Sequence, residues 1–356
     1  MRKTKENKKV ATGDIRLVLL ATRACCLNCQ YCFVKRTNEL MSQEVLKKAI
    51  DFLFTSESQN LQLQFFGGEP LMLPDDRFKW SIQYAIAKAK RAKKNLKIII
   101  TTNAVYLTQK KIGFLKKYKN HIIIEVSLDG KKESHNTNRP QKDKTSRIDS
   151  YSMITKNFPA IISSCLYSRV SMVVSPHTAK DLLENFEHLL GLGFNKIWLM
   201  LSCGVLWGDQ DIKEFERQLQ KIGEKYYEQI KEGKILLMNL RDWFAPYRMN
   251  SELIVDLNGR IYPACMNYLV DDEKVKEKYC LGGLNDSGFK NIDYYERKRI
   301  SNQEAIDVFF RVNKIIPNYK SNIKTGMMIN GFVKKMNNRL KGDGVDISKF
   351  FNEYKR

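Results

Sequence analysis

Apolar positions along the chain fall into short runs that alternate with longer segments of helical period. Residues 15–20, 61–66, 96–101, 122–127, 167–174 and 196–201 are of strand length and rich in β-branched and aromatic side chains. Between them, 43–53, 78–93, 109–118, 148–157 and 179–191 carry apolar positions at helical spacing, the first opened by Ser42 as an N-cap. Six strands separated by helices predict right-handed crossovers and a parallel sheet, either open or curled into part of a barrel. A polar stretch, 130–146, interrupts the alternation, and 211–232 reads as one long charged helix. Beyond it the period changes. Residues 253–257 and 260–263 flank Asn258-Gly259, a pair suited to positive φ, which predicts a β-hairpin. Helices are expected near 303–314 and 330–340. The chain so read divides into a basic tail (1–12), a barrel (13–210), a linker helix (211–232) and a small α+β region (233–356).

The polar residues that punctuate this pattern sit where strands end, and in parallel sheets ligands gather at the carboxyl ends. After the first strand, Cys25-Cys26-Leu27-Asn28-Cys29-Gln30-Tyr31-Cys32 sets Cys25, Cys29 and Cys32 at C-x3-C-x2-C spacing. Soft thiolates select Fe–S, Cu(I) or Zn. Three of them are one short of a closed structural zinc site, and leave one iron of a cubane open to a ligand that is not protein. Structural zinc and a metal-free loop are the other readings of this spacing. Phe66-Gly67-Gly68-Glu69-Pro70 follows the second strand, where paired glycines let backbone approach a ligand and Glu69 offers a carboxylate. Thr101, Thr102 and Asn103 end the third strand; Ser127, Asp129 and Gly130 end the fourth; His135 and Arg139 add a base and a carboxylate clamp. Singly, each cluster is an ordinary turn. Four at successive strand ends mark a site.

Composition narrows the partners. The 356 residues are 43% hydrophobic, as in a folded protein, and 61 Lys and Arg against 39 Asp and Glu give a formal charge of +22. Such a charge favours polyanions, whether nucleic acid or an acidic peptide segment, although lysine-rich runs such as 88–97 also read as solvated helix faces. Eight unevenly placed cysteines do not make a secreted disulfide framework. With no signal-peptide core and no apolar run of membrane-spanning length, the expected place is a reducing cytoplasm, away from the membrane.

Cys25, Cys29 and Cys32, with Tyr31 before the last cysteine and Gly67-Gly68-Glu69-Pro70 following, resemble the cluster- and methionine-binding motifs of the radical S-adenosylmethionine (radical SAM) superfamily. The resemblance covers about residues 15–201. It implies a partial (β/α)6 barrel in which these cysteines hold a [4Fe–4S] cluster whose fourth iron chelates the amino and carboxylate groups of SAM. Gly67, Gly68 and Glu69 would line the amino group, and Tyr31, Asn103, Ser127, Asp129 and Arg139 are candidates for the rest of SAM or the substrate. Cys26 would be a non-ligand. The implied chemistry is reductive cleavage of SAM to methionine and a 5′-deoxyadenosyl radical that abstracts a substrate hydrogen.

More narrowly, Ser127-Leu128-Asp129-Gly130, His135 and Arg139-Pro140 resemble the peptide- and protein-modifying branch, and Gly259-Arg260-Ile261-Tyr262-Pro263-Ala264-Cys265 resembles the hairpin that opens its SPASM or twitch domain. Cys265 and Cys280 are then either part of a second Fe–S cluster completed by another group, or small apolar packing residues. Leu281 stands where sulfatase-maturing relatives place an acidic base, which argues against formylglycine formation. The expected activity is maturation of a ribosomally made peptide or protein, by cross-linking or by epimerisation, with Cys165, Cys203, Cys265 and Cys280 as candidate hydrogen donors. The expected partners are a substrate with an acidic recognition segment and an electron donor such as flavodoxin or ferredoxin. The short N-terminus carries no recognisable peptide-binding extension, which assigns recognition to the C-terminal region or to a partner. The alternatives are modification of RNA or a small molecule, or an Fe–S nucleic-acid-binding or redox-sensing protein without SAM chemistry.

Overall fold

Six parallel strands lie side by side in chain order in the computed structural model, which describes residues 14–241, 252–263 and 272–351. They are β1 (Ile15–Thr22), β2 (Asn60–Gly67), β3 (Asn95–Thr102), β4 (Ile122–Ser127), β5 (Tyr167–Val174) and β6 (Lys196–Leu201). Together with their helices they form the expected partial (β/α)6 barrel. β7 (Leu236–Leu237) extends the sheet beside β6, and β8 (Leu253–Val255) pairs parallel with β1 at the other edge. β9 (Arg260–Pro263) returns antiparallel through Asn258-Gly259, where Gly259 has φ +81°, and β10 (Gly282–Gly283) ends that side. The hairpin therefore continues the barrel's own sheet.

The two-residue side-chain period decides the layers. Leu17, Leu19, Leu63, Phe65, Ile98, Ile100, Ile124 and Val126 are buried and face the helices, forming the main core. The residues between them face inward: Val18 and Leu20 meet Ile254 and Phe66, and Ile99 meets Ile123.

Most expected helices are found; the one expected near 330–340 is longer, Ile316–Gly342, and three further departures have a physical cause. The segment expected as one helix over 148–157 is two, Ser150–Thr155 and Phe158–Ser163, because Pro159 suits the first turn of a helix and not its interior. The expected linker helix over 211–232 is also two, Asp209–Lys225 and Tyr227–Lys231. The first is no tether: Ile212, Phe215, Leu219 and Ile222 make a buried stripe, and it packs on Pro176–Asp181 and Leu182–Gly191. Finally, the polar stretch contains the helix Lys132–Asn138, which buries Ser134, His135 and Asn138. Hydrogen bonds make this burial affordable, including Asn185 Nδ2 to Ser134 Oγ (3.0 Å) and Asn138 Nδ2 to the Val173 carbonyl (3.2 Å). At the C-terminal side, Asn302–Val312 is followed by a 27-residue helix, Ile316–Gly342, which packs on Asp209–Lys225. Among the described residues no helix is long and apolar enough to cross a membrane.

Candidate active site

β1 ends in a hydroxyl that turns the chain. Thr22 Oγ1 donates to the Glu39 carbonyl (2.8 Å) and accepts from Ala24 N (2.9 Å). The cysteine loop beyond it takes its backbone partners from the segment after β4: Asn28 N donates to the Pro140 carbonyl (2.7 Å), Gln30 N to that of Asn138 (3.0 Å), and Lys142 N to that of Cys26 (2.9 Å). These bonds satisfy an irregular loop and fix the cysteines relative to Arg139. From the other side, Gly68 N donates to the Thr22 carbonyl (2.7 Å) and Glu69 N to that of Ala24 (2.8 Å). A Cβ on Gly67, at φ +132°, would lie 2.2 Å from Thr22 O, and one on Gly68 would lie 2.1 Å from Ala24 O. The glycine pair is thus demanded by the contact of two loops, before any ligand is considered.

Cys25, Cys29 and Cys32 share the wall of one cavity of ≈ 220 Å³. The same wall includes Tyr31, Gly67, Gly68, Asn103, Ser127 and Arg139, so the expected residues of four strand ends do meet. Asn103 Nδ2 lies 3.7 Å from Cys25 Sγ and 3.6 Å from Cys26 Sγ. The Cys25 thiol is drawn down to about 6, chiefly by its hydrogen bond with Cys26, with the Leu27 amide, Arg36 and Arg139 helping against burial. Cys26 is pushed up in return, and burial pushes Cys29 up to about 11. Arg36 was not singled out by the sequence pattern. It lines the cavity, its Nη1 donates to Asn28 Oδ1, and its Nε is buried without a partner among the described residues. Its only signal was a cation four residues past Cys32. Among the described residues no three His, Cys, Asp or Glu side chains converge at metal-ligating distance. The fit to a soft metal rests on the donor set, three thiols on one wall beside two guanidinium groups.

Two expected ligand contacts, Asp129 and Glu69, are buried, do not line the cavity and accept hydrogen bonds from within the fold. Asp129 accepts from Tyr31 Oη (2.6 Å), Arg139 Nε (2.9 Å), Arg139 Nη2 (3.0 Å) and Val173 N (2.9 Å). It therefore positions Tyr31 and Arg139. Glu69 accepts from Thr102 Oγ1 (2.7 Å), Leu71 N (3.0 Å) and Asn103 N (2.7 Å), tying the ends of β2 and β3 together. Burial pushes its carboxyl up to about 7 in spite of those bonds.

His135 is not exposed to the cavity as a base. Its Nδ1 accepts from Asp129 N (3.4 Å), and its Nε2 is buried without a partner among the described residues. Burial holds the imidazole down to about 4, against 6.5 when unfolded. Between those values the unfolded chain binds more protons, so stability is lost as pH falls through this window, by up to about 3 kcal/mol. Urea unfolding at pH 7 and pH 4.5 checks this: His135→Asn, which keeps an acceptor, should lose less stability between the two than the parent. An equal loss in both proteins rejects it.

The other cysteines separate by position. Cys203 follows β6 at the cavity end of the sheet, and the adjacent Gly204 packs so closely that a Cβ there would lie 3.0 Å from Phe33 Cζ. Cys165, at φ +56°, precedes β5 and stands at the amino end. The eight residues of β5, at roughly 3.3 Å each, separate it from the cavity, so the expectation that it donates hydrogen there is corrected. Cys280 precedes β10, with Sγ 3.5 Å from the Gly282 carbonyl, and Cys265 lies outside the described residues.

The family model of the radical SAM superfamily matches residues 19–219, more than half of the chain. The chain belongs to the radical SAM superfamily. Among curated proteins, the cysteine-type anaerobic sulfatase-maturating enzyme of Clostridium perfringens (strain ATCC 13124) is 23% identical over 328 residues, 84% of each chain. An uncharacterised protein of Methanocaldococcus jannaschii is 28% identical across 77% of this chain and 90% of its own length. The solved structure of histidine-tagged anSMEcpe with bound AdoMet superposes with a TM-score of 0.72 at 16% identity, covering 96% of this chain and 99% of that one. This radical SAM chain thus shares its barrel and its C-terminal region with the fold of peptide- and protein-modifying members.

Proposed function

We propose that this radical SAM enzyme matures a ribosomally synthesised peptide or protein, removing hydrogen from a side chain or α-carbon so that the residue is cross-linked or epimerised. The observation that supports it most is the shared cavity, where three thiols, a glycine pair, Asn103, Ser127 and Arg139 converge from four strand ends. Cys25, Cys29 and Cys32 would hold a [4Fe–4S] cluster, three thiolates leaving one iron for the amino and carboxylate groups of SAM. Bound there, the reduced cluster and SAM supply a 5′-deoxyadenosyl radical and methionine.

The chain's own residues do the positioning. Arg139 is gripped through two of its nitrogens by Asp129 and lies 5.3 Å from the Tyr31 ring, so its guanidinium is held at the wall to receive a carboxylate. Gly67 and Gly68 bring bare backbone to the same wall for an amino group, and Leu27, Phe33, Val34 and Phe66 keep part of it apolar, limiting adventitious hydrogen donors. Cys203, which follows β6 at that end of the sheet, would return hydrogen in an epimerisation.

The peptide reading draws on the relatives: the C. perfringens protein is named a sulfatase-maturating enzyme, and a solved anSMEcpe complex holds AdoMet and the Cp18Cys peptide. Formylglycine formation fits less well. Leu281, where the resemblance would require an acidic base, is an apolar side chain packed against the core. The +22 charge suits an acidic recognition segment, and a flavodoxin or ferredoxin would supply electrons. An auxiliary cluster would draw on Cys265 and Cys280.

The test uses anaerobically reconstituted protein with dithionite and SAM. 5′-Deoxyadenosine should form, and a co-purifying peptide, identified by mass, should lose two hydrogens on cross-linking, or keep its mass and take up deuterium from D2O on epimerisation. Cleavage of SAM that alters co-purifying RNA and leaves every peptide unchanged overturns the reading.

A further inference from the structure

Beside the cavity, the inner face of the barrel carries a row of polar side chains that the positioning scheme above does not use. Gln64 Nε2 donates to Thr101 Oγ1 (2.9 Å), and Thr101 Oγ1 donates to Glu125 Oε1 (3.2 Å). Arg169 Nε donates to Glu125 Oε2 (2.7 Å), Arg169 Nη2 reaches the same oxygen, and the guanidinium lies 5.2 Å from the Trp198 ring. Strand register sets Thr101 opposite Glu125 and Glu125 opposite Arg169, so the row is one belt from β2 to β6. Thr101 also lines the cavity, so the belt meets the cavity at that residue.

The belt fixes the orientation of the Gln64 amide. A carboxylate can only accept, so the Thr101 proton is committed to Glu125, and the Thr101 oxygen must accept from Gln64. That turns Nε2 toward Thr101 and leaves Oε1. Gln64 is only 7% exposed, and its Oε1 is buried without a hydrogen-bond partner among the described residues. An unsatisfied buried acceptor is destabilising. Nor is a buried ion pair a strong source of stability, since desolvation offsets its attraction. Apolar residues would fill these positions as Ile99 and Ile123 fill theirs on the same face. A ligand accounts for the belt better than folding does.

We propose that Gln64 reads the peptide: its Oε1 accepts a hydrogen bond from an uncharged N–H or O–H donor on a substrate residue that reaches the belt beside Thr101, and Thr101, Glu125 and Arg169 act as positioning residues that hold the amide. The inference rests on the peptide-maturase reading. The donor is uncharged because Glu125 is already neutralised by Arg169, leaving a polar belt without a net charge to balance. The side chain of Asn, Gln, Ser or Thr fits this chemistry. A carboxylate, which has no proton to give, and an alkyl side chain do not.

The probe is a set of synthetic 12-residue peptide pools, each with one fixed central amino acid and randomised flanks, retained on reconstituted holoenzyme with SAM and no reductant, then counted by mass spectrometry. The parent enzyme should enrich the Asn, Gln, Ser and Thr pools over the Asp, Glu and Leu pools about tenfold, as one satisfied buried hydrogen bond implies. Gln64→Leu should erase the preference, and Thr101→Val, which removes the hydroxyl that fixes the amide, should weaken it independently. SAM affinity is measured alongside. Equal retention of all pools by the parent, a preference that survives Gln64→Leu, or a parallel loss of SAM affinity in that variant overturns the inference. The maturase reading is judged separately, by the SAM-dependent change in the co-purifying peptide.

Discussion

Alanine at Cys25, Cys29 or Cys32, one at a time, is expected to cut the iron bound after anaerobic reconstitution from about four atoms per chain to a small remainder, and to abolish SAM cleavage. Cys26→Ala should keep both. The four thiols occupy one short loop, so the contrast tests geometry rather than cysteine count. Cys25, Cys29 and Cys32 share the cavity wall, whereas Cys26 is not on it. Iron and sulfide analysis with electron paramagnetic resonance of the reduced protein checks the result. Loss of iron in Cys26→Ala to the same extent as in Cys25→Ala contradicts it. The parent count carries a second answer: about eight iron atoms, falling by half in Cys280→Ala, would establish an auxiliary cluster.

The strands were legible because burial of both sheet faces writes apolar runs such as 96–101 and 122–127 directly into the chain. Segments buried through hydrogen bonds left no such mark. Lys132–Asn138 is polar throughout, and inward-facing Ser134 and Asn138 pair with Asn185 and the Val173 carbonyl, partners far away in sequence. The helix Asp209–Lys225 misled in the opposite sense, because its charged majority hides a four-residue apolar stripe.

Within the site, residue type and position at a strand end identified the thiols, the glycine pair, Ser127 and Arg139. Roles were harder to read than membership. Asp129 and Glu69 look like ligand contacts in a linear reading, yet their oxygens also accept from Val173 N and Asn103 N, 44 and 34 residues away, bonds that only the fold reveals. Arg36 was hidden by the abundance of Lys and Arg in a chain with 61 of them. The polar belt did leave a trace, since Gln62 and Gln64 break an otherwise apolar second strand, but only the fold shows that Thr101, Glu125 and Arg169 are in register and that Gln64 bonds to Thr101.

Asp129→Ala is expected to destabilise the folded protein by about 3–5 kcal/mol, the usual cost of stranding a buried charge, and to weaken SAM binding even in molecules that remain folded. Both effects come from one carboxylate. The Asp129 side chain is fully buried, and removing it leaves the Arg139 guanidinium without its bidentate partner, the Tyr31 hydroxyl without an acceptor and Val173 N unpaired. Burial by itself disfavours the Arg139 charge, and Asp129 is the main group that reverses this. A second substitution separates stability from binding. In Asp129→Ala with Arg139→Met the orphaned charge is gone, so urea unfolding of the apoprotein should recover part of the loss, while SAM affinity of the reconstituted enzyme, measured by calorimetry, should fall further. Equal stability of the single and double variants would mean that Arg139 draws nothing from Asp129. A double variant that binds SAM as the parent does would remove Arg139 from the carboxylate site and leave Ser127 and the glycine backbone to hold the ligand.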